Sequence, residues 1–442
     1  MKPTTALTFV TLTLASCLDW APPQVRDDGA ADGDSDGDVD GDSDVDSDID
    51  TDVDTDADTD GIVDFDLDTD EDEGGCELAM VEVQEILTTH GCPTLDSMLP
   101  EIVIEGPCTL DTESCVFTGC DPVPAQSTCS IPTVGGEFYP TDTQICVVVA
   151  RSIRVGSGAT LRISDPNPAF FVSDDDIVIE GTVDASGHGQ SDSPGGASGG
   201  DICFDGGGPP SALIAGGRLG APGSLVGGGG GAFIGPGGRG GCDGGLGGTP
   251  FASCPDLPFR SGAGGGGGGW NGSGTECNAV TFPGVGGAGG GTIHMVARRS
   301  LVVGAAGEIS VRGAAGGDGC MTGRLETDYR VAGGGGGSGG QIVLESAFVQ
   351  VRGGLDARGG DGGSWMEGAL VTIGGGPGGT SLTMAGTGDC DISMDPPVGP
   401  RGGGGGGGAG IVAIKAAVRD LGGSVVPAIS ACTDIVVDCV PL

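Results

Sequence analysis

Apolar and polar residues alternate in short runs along the second half of the chain. Between residues 177 and 185, the apolar residues Ile177, Ile179, Val183 and Ala185 fall on odd positions, and mostly polar or small residues lie between them. An apolar residue at every second position is typical of a β-strand that buries one face. The pattern therefore predicts β-strands with an apolar inner face.

The strand pattern repeats along the chain. Residues 145–163 (ICVVVARSIRVGSGATLRI) and 293–311 (IHMVARRSLVVGAAGEISV) align without a gap, and looser copies begin at Phe170, Ile342 and Ile411. The first two starts are 25 residues apart, and the starts at positions 293 and 342 are 49 residues apart. Such spacings are typical of the repeating units of a solenoid.

These repeats resemble the glycine-rich proteins of the pectin-lyase-like, right-handed β-helix kind. The resemblance covers residues 145–430 and implies an all-β fold, a glycine-rich parallel β-helix or solenoid with long glycine loops. Its short strands would stack about 4.8 Å apart. The resemblance concerns architecture and brings no catalytic motif with it. Between Phe170 and Ile293 the repeat is degenerate, so the sequence leaves open whether the coils are continuous.

Glycine dominates the same part of the chain. Residues 181–410 contain 80 glycines in 230 positions, in runs such as GGGGGGWNGSG (264–274) and RGGGGGGGAG (401–410). Each ordered glycine costs roughly 0.5–1 kcal/mol relative to alanine, so ordering all of them is expensive unless glycine is required. Two alternatives remain open. The runs are either mobile loops or ordered, polyglycine-II-like strands that pack where no Cβ atom fits.

An acidic tract precedes the β-rich part. Aspartate occupies every even position from 32 to 60, within a chain of net charge −44. Like-charge blocks of this kind are disordered and extended, so residues 17–75 are predicted to be a disordered tether. The negative charge disfavours nucleic acid as a partner.

Two stretches of the tract begin like calcium-binding EF-hand loops. The twelfth position of such a loop is normally a glutamate, but here it is Ser43 in one stretch and Leu67 in the other. We therefore expect loose calcium association at most and no cofactor. The candidate calcium ligands are Asp32, Asp34, Asp36, Asp56, Asp58 and Asp60.

The chain begins with a short basic start and an uncharged, modestly apolar run, MKPTTALTFVTLTLAS. This run is too short to span a bilayer and fits an export signal over residues 1–16. The following Leu14-Ala15-Ser16-Cys17 resembles the lipobox of bacterial lipoproteins. The resemblance implies cleavage before Cys17, lipidation of Cys17, and a membrane partner at the outer membrane or cell surface. An ordinary signal peptide is the alternative.

The chain contains 16 cysteines. Export to an oxidising compartment predicts disulfides, and the absence of CxxC motifs and of zinc-ligand histidine spacing argues against a metal site. We expect a disulfide-stapled segment at 76–144 before the β-repeat domain 145–430. A stapled C-terminal cap, 431–442, follows with Cys432 and Cys439 as partners.

These features favour a non-enzymatic envelope protein with a structural or adhesive role and an unknown ligand, which could be a polysaccharide. The alternative is a polysaccharide lyase or hydrolase of the β-helix type. Asp184 and Asp356 occupy equivalent repeat positions between apolar neighbours and are expected to face solvent. The candidate catalytic residues are Asp174, Asp175, Asp176, Asp184, Asp356 and Arg358.

Overall fold

A computed structural model describes the chain between residues 77 and 427, with gaps. The described residues are 77–95, 98–122, 124, 127–132, 144–164, 166–189, 193–200, 205–207, 216–218, 220, 225–250, 261–271, 284–322, 329–367, 370–381, 383–391 and 401–427. The predicted signal peptide, acidic tether and C-terminal cap lie outside this set. All of the described residues belong to one compact unit.

The described part is mostly β-sheet with a single helix, α1 (Glu77–Thr89), which confirms the predicted all-β class. The first strands are β1 (Glu101–Ile104), β2 (Pro107–Asp111), β3 (Val116–Thr118), β4 (Thr128–Pro132), β5 (Gln144–Ala150), β6 (Ser152–Val155), β7 (Thr160–Ser164), β8 (Ala169–Ser173), β9 (Asp176–Ile179), β10 (Thr182–Asp184) and β11 (Trp270–Asn271). They are followed by β12 (Thr292–Val303), β13 (Glu308–Ser310), β14 (Gly319–Thr322), β15 (Tyr329–Val331), β16 (Gln341–Val351), β17 (Gly354–Asp356), β18 (Trp365–Glu367), β19 (Leu370–Ile373), β20 (Cys390–Asp391), β21 (Arg401–Gly402), β22 (Ile411–Leu421) and β23 (Ser424–Val426).

Nine strands form the largest sheet. Strands β8 and β9 lie end to end along one side of the long strand β12, and β5 and β6 lie beside them in the same way. Strands β16 and β22 follow on the other side of β12. All of these pairs are parallel. Strand β1 extends the sheet parallel to β6, and β4 extends it antiparallel to β5.

A second, seven-stranded sheet has the order β23-β17-β13-β10-β7-β2-β3. Its strands are parallel except for β3, which runs antiparallel to β2. Each strand of this sheet from β7 onward follows a strand of the nine-stranded sheet directly in sequence: β10 follows β9, β13 follows β12, β17 follows β16 and β23 follows β22. From β9 onward, the chain therefore adds one strand to each of the two sheets in turn.

The alternating apolar residues meet between these two sheets. Ile177, Ile179, Val183 and Ala185 are all fully buried in one continuous apolar cluster, as their spacing predicted. Complete burial of a large aliphatic side chain contributes about 1.5–3 kcal/mol, so this stacked core is the main apolar source of stability in the unit.

The stacking register confirms part of the predicted repeat and corrects another part. Ile342 lies directly beside Ile293, as the 49-residue spacing predicted. In the nine-stranded sheet, Ile293 lies beside Ala169 of β8, and Ala169 lies beside Cys146 of β5. The ungapped alignment paired Ile293 with Ile145, so it is wrong by one residue in this part of the repeat. The reason is the corner after β5, which contains Arg151 alone, whereas the corner after β8 contains two residues.

The cysteine-dense segment contributes the first strands of both sheets. Strands β1 and β2 start the parallel stacks, and β3 and β4 terminate them with antiparallel pairing. Three disulfides hold this segment: Cys92–Cys129, Cys108–Cys120 and Cys115–Cys146. The prediction of disulfides is confirmed.

Helix α1 covers the outer face of the nine-stranded sheet near its first strands. Met80, Val83 and Leu87 are buried on this helix, and they belong to a second apolar cluster that includes Val149 and Val172 of the sheet. The sequence interpretation contained no helix in this segment. The helix buries the outer face that strand alternation alone would have left in contact with water.

The glycine runs are ordered by backbone hydrogen bonds with a repeat of three residues. Successive N–H groups between positions 333 and 340 donate to three different neighbouring runs. Gly333, Gly336 and Gly339 donate to run 402–408, Gly334, Gly337 and Gly340 donate to run 311–317, and Gly335 and Ser338 donate to run 263–266. A repeat of three residues is the geometry of an extended polyproline-II helix.

The same run also accepts hydrogen bonds from three more neighbours, the runs 225–231, 284–291 and 357–363. It is therefore surrounded by six extended chains. We call this assembly the glycine bundle and define it as the runs 225–231, 262–269, 284–291, 311–317, 333–340, 357–363 and 402–410.

Backbones in the bundle approach too closely for side chains. A Cβ atom at Gly262 would lie 2.6 Å from the carbonyl oxygens of both Gly339 and Ser338. The alternative of mobile loops is therefore wrong for the runs 264–269 and 402–408, which are buried and hydrogen-bonded. The contacts match the alternative of ordered, polyglycine-II-like packing.

The glycine bundle connects the two large sheets to a third, five-stranded sheet with the order β11-β15-β14-β18-β19. Three glycine runs lead into strands of the nine-stranded sheet, namely β12, β16 and β22. Three other runs lead into strands of the five-stranded sheet, namely β11, β14 and β18. At about 3.1 Å per residue, a run of seven residues separates the two ends by roughly 20 Å.

Large side chains and a disulfide fix the end of the bundle near the five-stranded sheet. Trp365 is fully buried, and the guanidinium of Arg401 lies 4.1 Å from the centre of its ring. The disulfide Cys242–Cys390 joins residues that are 148 positions apart in the sequence. This end is therefore pinned by covalent and cation–π contacts as well as by backbone hydrogen bonds.

Candidate functional site

The residues with predicted sites in the tether and the C-terminal cap lie outside the described residues. These are Cys17, Cys432, Cys439, Asp32, Asp34, Asp36, Asp56, Asp58 and Asp60. The candidate catalytic residues, in contrast, are all described, and the structure divides them between two places.

Three candidate carboxylates lie at the corner between β8 and β9, and each has a partner on the neighbouring strand β12. The pairs are Asp174 with Arg298 at 2.9 Å, Asp175 with Arg299 at 4.0 Å, and Asp176 with the hydroxyl of Ser300 at 2.7 Å. Each partner lies on the strand that pairs with β8 and β9 in the nine-stranded sheet, so these contacts tie neighbouring strands together.

Asp356, at the end of β17, is enclosed by two arginines. Arg358 donates to the Asp356 carboxylate from its side chain at 2.7 Å and from its backbone N–H at 3.1 Å, and Arg312 donates through Nε at 2.7 Å. Burial by itself would raise the pKa of Asp356, but these hydrogen bonds outweigh burial and lower the pKa. The expectation that Asp356 faces solvent is wrong, since its side chain is only 9% exposed.

Asp184 holds the equivalent position on β10 and differs in its surroundings. Its carboxylate accepts a hydrogen bond from the backbone N–H of Ser186 at 3.1 Å, and His188 Nε2 lies 3.9 Å away. The register places Ser310 between Asp184 and Asp356, so the two aspartates are about 9–10 Å apart. The predicted equivalence of Asp184 and Asp356 is confirmed, but no arginine covers Asp184 among its described contacts.

A further ionic cluster, centred on Glu345 of β16, was not predicted. The Glu345 carboxylate lies 2.9 Å from His294 Nε2 and 2.7 Å from Lys415 Nζ, and the His294 ring packs against Phe170 with centroids 4.8 Å apart. Burial opposes ionisation, but the hydrogen bonds and charges of His294 and Lys415 outweigh it and lower the pKa of Glu345 to about 2. The repeat copies that begin at Ile342 and Ile411 align Glu345 with Ile414, but the register of the sheet pairs Glu345 with Lys415, so the sequence pattern missed this pair by one residue.

Most of these contacts join a carboxylate to a basic or hydroxyl group of a neighbouring segment, whereas Asp356–Arg358 and Asp184–His188 each lie within one segment. Within the described ranges there is no group of three or more histidine, cysteine, aspartate or glutamate side chains that could hold a metal ion. No helix in those ranges has the length and apolar character that a membrane crossing requires.

Comparison of the chain with protein-family models, with curated proteins and with solved structures finds no match in any of the three.

Proposed function

We propose that this chain is a lipid-anchored, non-enzymatic protein of the cell envelope with a structural or adhesive role. In this proposal Cys17 carries the lipid, and the acidic tract 17–75 holds the folded body away from the membrane by self-repulsion. The body then presents a binding end to a polysaccharide or another surface ligand. The lipobox-like sequence and the run of alternating aspartates support the anchor and the tether.

For the body we propose a parallel β-helix whose later coils are each extended by glycine runs. The in-register parallel stacks of both sheets support this interpretation, because every passage of the chain from β9 onward supplies one strand to each sheet in turn. The glycine runs leave the helix after the seven-stranded sheet and return before the nine-stranded sheet. We propose that this continuous stack is what the sequence repeat encodes.

The observation that carries the proposal is the glycine bundle with the five-stranded sheet at its end. Packing without side chains leaves no cleft within the bundle, and its six-neighbour hydrogen bonding makes it stiff. The five strands at its end come from three parts of the sequence: β11, the pair β14 and β15, and the pair β18 and β19. Such a stiff support suits display of a binding surface better than a reaction.

The state of the candidate carboxylates also supports a non-enzymatic role. A polysaccharide lyase or hydrolase needs carboxylates that are free to exchange protons with the substrate or to bind a cation. Asp356 is already neutralised by Arg312 and Arg358, and the corner aspartates are paired with groups on β12. Of the five candidate aspartates, Asp184 is the one whose described contacts include neither an arginine nor a group on a neighbouring strand.

Surface labelling tests the proposed role. An antibody against residues 145–430 should label intact cells that express the full chain, and the Cys17→Ser variant should lose this labelling and leave the membrane fraction. Labelling that appears only after the outer membrane is opened, or membrane association that survives Cys17→Ser, would contradict the proposal.

A separate assay addresses the enzyme alternative. The purified chain is incubated with a panel of acidic and neutral polysaccharides, and new reducing or unsaturated ends are measured. We expect none above the level of the Asp184→Asn variant. Turnover that disappears in Asp184→Asn would replace the proposed role with the enzymatic one.

A further inference from the structure

One row of core residues crosses the nine-stranded sheet and ends in a charged residue. The register of β1, β6, β9, β12, β16 and β22 places one residue of each strand in this row, in the order Ile102, Ile153, Ile177, Leu301, Val349 and Arg419. The first five are apolar and at most 3% exposed. Residues that are paired in register point to the same face of a sheet, so Arg419 occupies a core-facing position on the last strand.

The other core-facing positions of the last two strands are uncharged. Val412 and Ile414 precede Arg419 on β22 and belong to the main apolar cluster, and Val425 of β23 packs against the same cluster. Leu421 continues the row of the fully buried Val351. Arg419 is therefore the only charged residue at the core-facing positions of β22 and β23, both of which lie within the described residues.

Strand β22 is also an open edge of its sheet. Within the described residues, β22 pairs with β16 on one side and β23 pairs with β17 on one side. Ile411 donates its N–H to Gly340, so alternate residues from Val412 onward direct their backbone groups away from β16. An edge of 11 residues is a template on which another strand can add.

The other two charged residues of β22 bind it to the strand before it. Lys415 Nζ lies 2.7 Å from the carboxylate of Glu345, and the carboxylate of Asp420 accepts a hydrogen bond from Gln350 at 3.0 Å. Glu345 and Gln350 both belong to β16. The position of Arg419, in contrast, bears on the far side of β22, where the next strand of the stack would lie.

A charge at this position opposes any further strand. Arg419 is half-buried, and on the last strand an arginine can keep its stem against the core while its guanidinium reaches water beyond the edge. A strand added to β22 would cover that route and enclose the guanidinium in an apolar row, which is strongly unfavourable. We infer that Arg419 prevents a second copy of this chain from adding a strand to the open edge of β22.

The rest of the stack determines which assembly Arg419 prevents. The seven-stranded sheet ends at the other side in the antiparallel strand β3, and the nine-stranded sheet ends there in the antiparallel strand β4 and the four-residue strand β1. Strand β22 is the longest edge strand among the described sheets. Two copies that paired through β22 would therefore form a closed dimer and not a fibre. This inference goes beyond the proposed function and does not depend on it.

Sedimentation and light scattering of the full chain over a range of concentrations test the inference, with Cys17→Ser in every sample so that no lipid contributes to association. Arg419→Val restores the apolar row, and Arg419→Met keeps a long side chain without the charge. We expect both to dimerise with a dissociation constant at least roughly 100-fold below that of the wild type. Arg419→Lys should stay monomeric. Arg299→Val is the matched control, because it removes the same charge from a side chain that is 69% exposed at a corner of β12.

Hydrogen exchange locates the contact and reports on folding. The outward amides of Val412 and Ile414 should gain protection as the concentration of Arg419→Val rises, and amides of the central strand β5 should stay protected in every variant. The inference is overturned if both uncharged variants stay monomeric wherever the wild type does, or if Arg419→Lys dimerises as strongly as Arg419→Val. A dimer that leaves the two outward amides unchanged, or a wild type that already dimerises through them, would also contradict it.

Discussion

Adding a single methyl group inside the glycine bundle should destabilise the whole body. We consider Gly262→Ala, because this glycine is buried and donates its N–H to Gly290 while its carbonyl accepts from Ala197. Its backbone is not in the left-handed region, so alanine is allowed by the dihedral angles. The cost comes from space alone.

The clash sets the magnitude of the expected effect. The new Cβ would lie 2.6 Å from two carbonyl oxygens and 2.8 Å from the nitrogen of Gly290, and ordinary contact begins at 3.4 Å. Neighbouring backbones must therefore move by most of an ångström. Overpacking costs about 1–3 kcal/mol and each weakened hydrogen bond about 0.5–1.5 kcal/mol. The lower entropy of the unfolded alanine variant returns about 0.4–1 kcal/mol, which leaves a net loss of roughly 2–5 kcal/mol.

Calorimetry and urea unfolding of the wild type, Gly262→Ala and Gly106→Ala measure this loss. Gly106 lies in the turn between β1 and β2, where a Cβ would meet no atom within 4 Å. We expect Gly262→Ala to lower the melting temperature by about 3–7 °C and Gly106→Ala to stay within about 0.5 kcal/mol of the wild type. If both variants unfold like the wild type, the bundle is not packed as described and the reasoning fails.

Three further predictions concern pairs and crosslinks. The Glu345→Gln variant should be less stable than the wild type by roughly 3 kcal/mol above about pH 4.5, because ionised Glu345 is held by its partners. Since the folded pKa is about 2, the difference should shrink as the pH falls from 4.5 to 2, and a gap that is constant over this range in urea unfolding would refute the assignment. Replacing Asp356 by Asn should cost about 2 kcal/mol, whereas Asp184→Asn should change stability by less than about 0.5 kcal/mol, and equal losses in thermal unfolding would contradict the difference in their surroundings. The Cys242→Ser/Cys390→Ser variant should lose up to about 5 kcal/mol in chemical denaturation, given its loop of 148 residues, and unchanged stability would show that the bundle holds this end without the crosslink.

The sequence was sufficient to predict the stacked strands because their signal is local and periodic. Alternation identified Ile177 and Val183 as core residues, and the shared pattern around Asp184 and Asp356 identified these aspartates as equivalent positions, which lie in one row of the seven-stranded sheet. Both conclusions need only the period of a strand and the equivalence of repeats. The disulfides in the cysteine-dense segment could be anticipated from composition, although not their pairing.

The surroundings of each residue could not be predicted in the same way. The cover over Asp356 comes from Arg312, a residue 44 positions away, and from Arg358 folding back. The order in the glycine runs depends on six neighbours that are dispersed over the sequence, so no local window of glycines distinguishes a packed run from a loop. Helix α1 was missed because its apolar face lies within a segment whose cysteines dominated the interpretation.

Because hydrogen bonds in the glycine bundle repeat every three residues, the position of a residue within this repeat decides which neighbouring run its N–H contacts. Inserting or deleting one residue in the run 333–340 would turn every later N–H toward the wrong one of its neighbours, whereas a change of three would restore the pattern one turn further on. Relatives of this protein should therefore vary the lengths of their glycine runs in steps of three. Turns outside the glycine bundle should vary in length without this restriction.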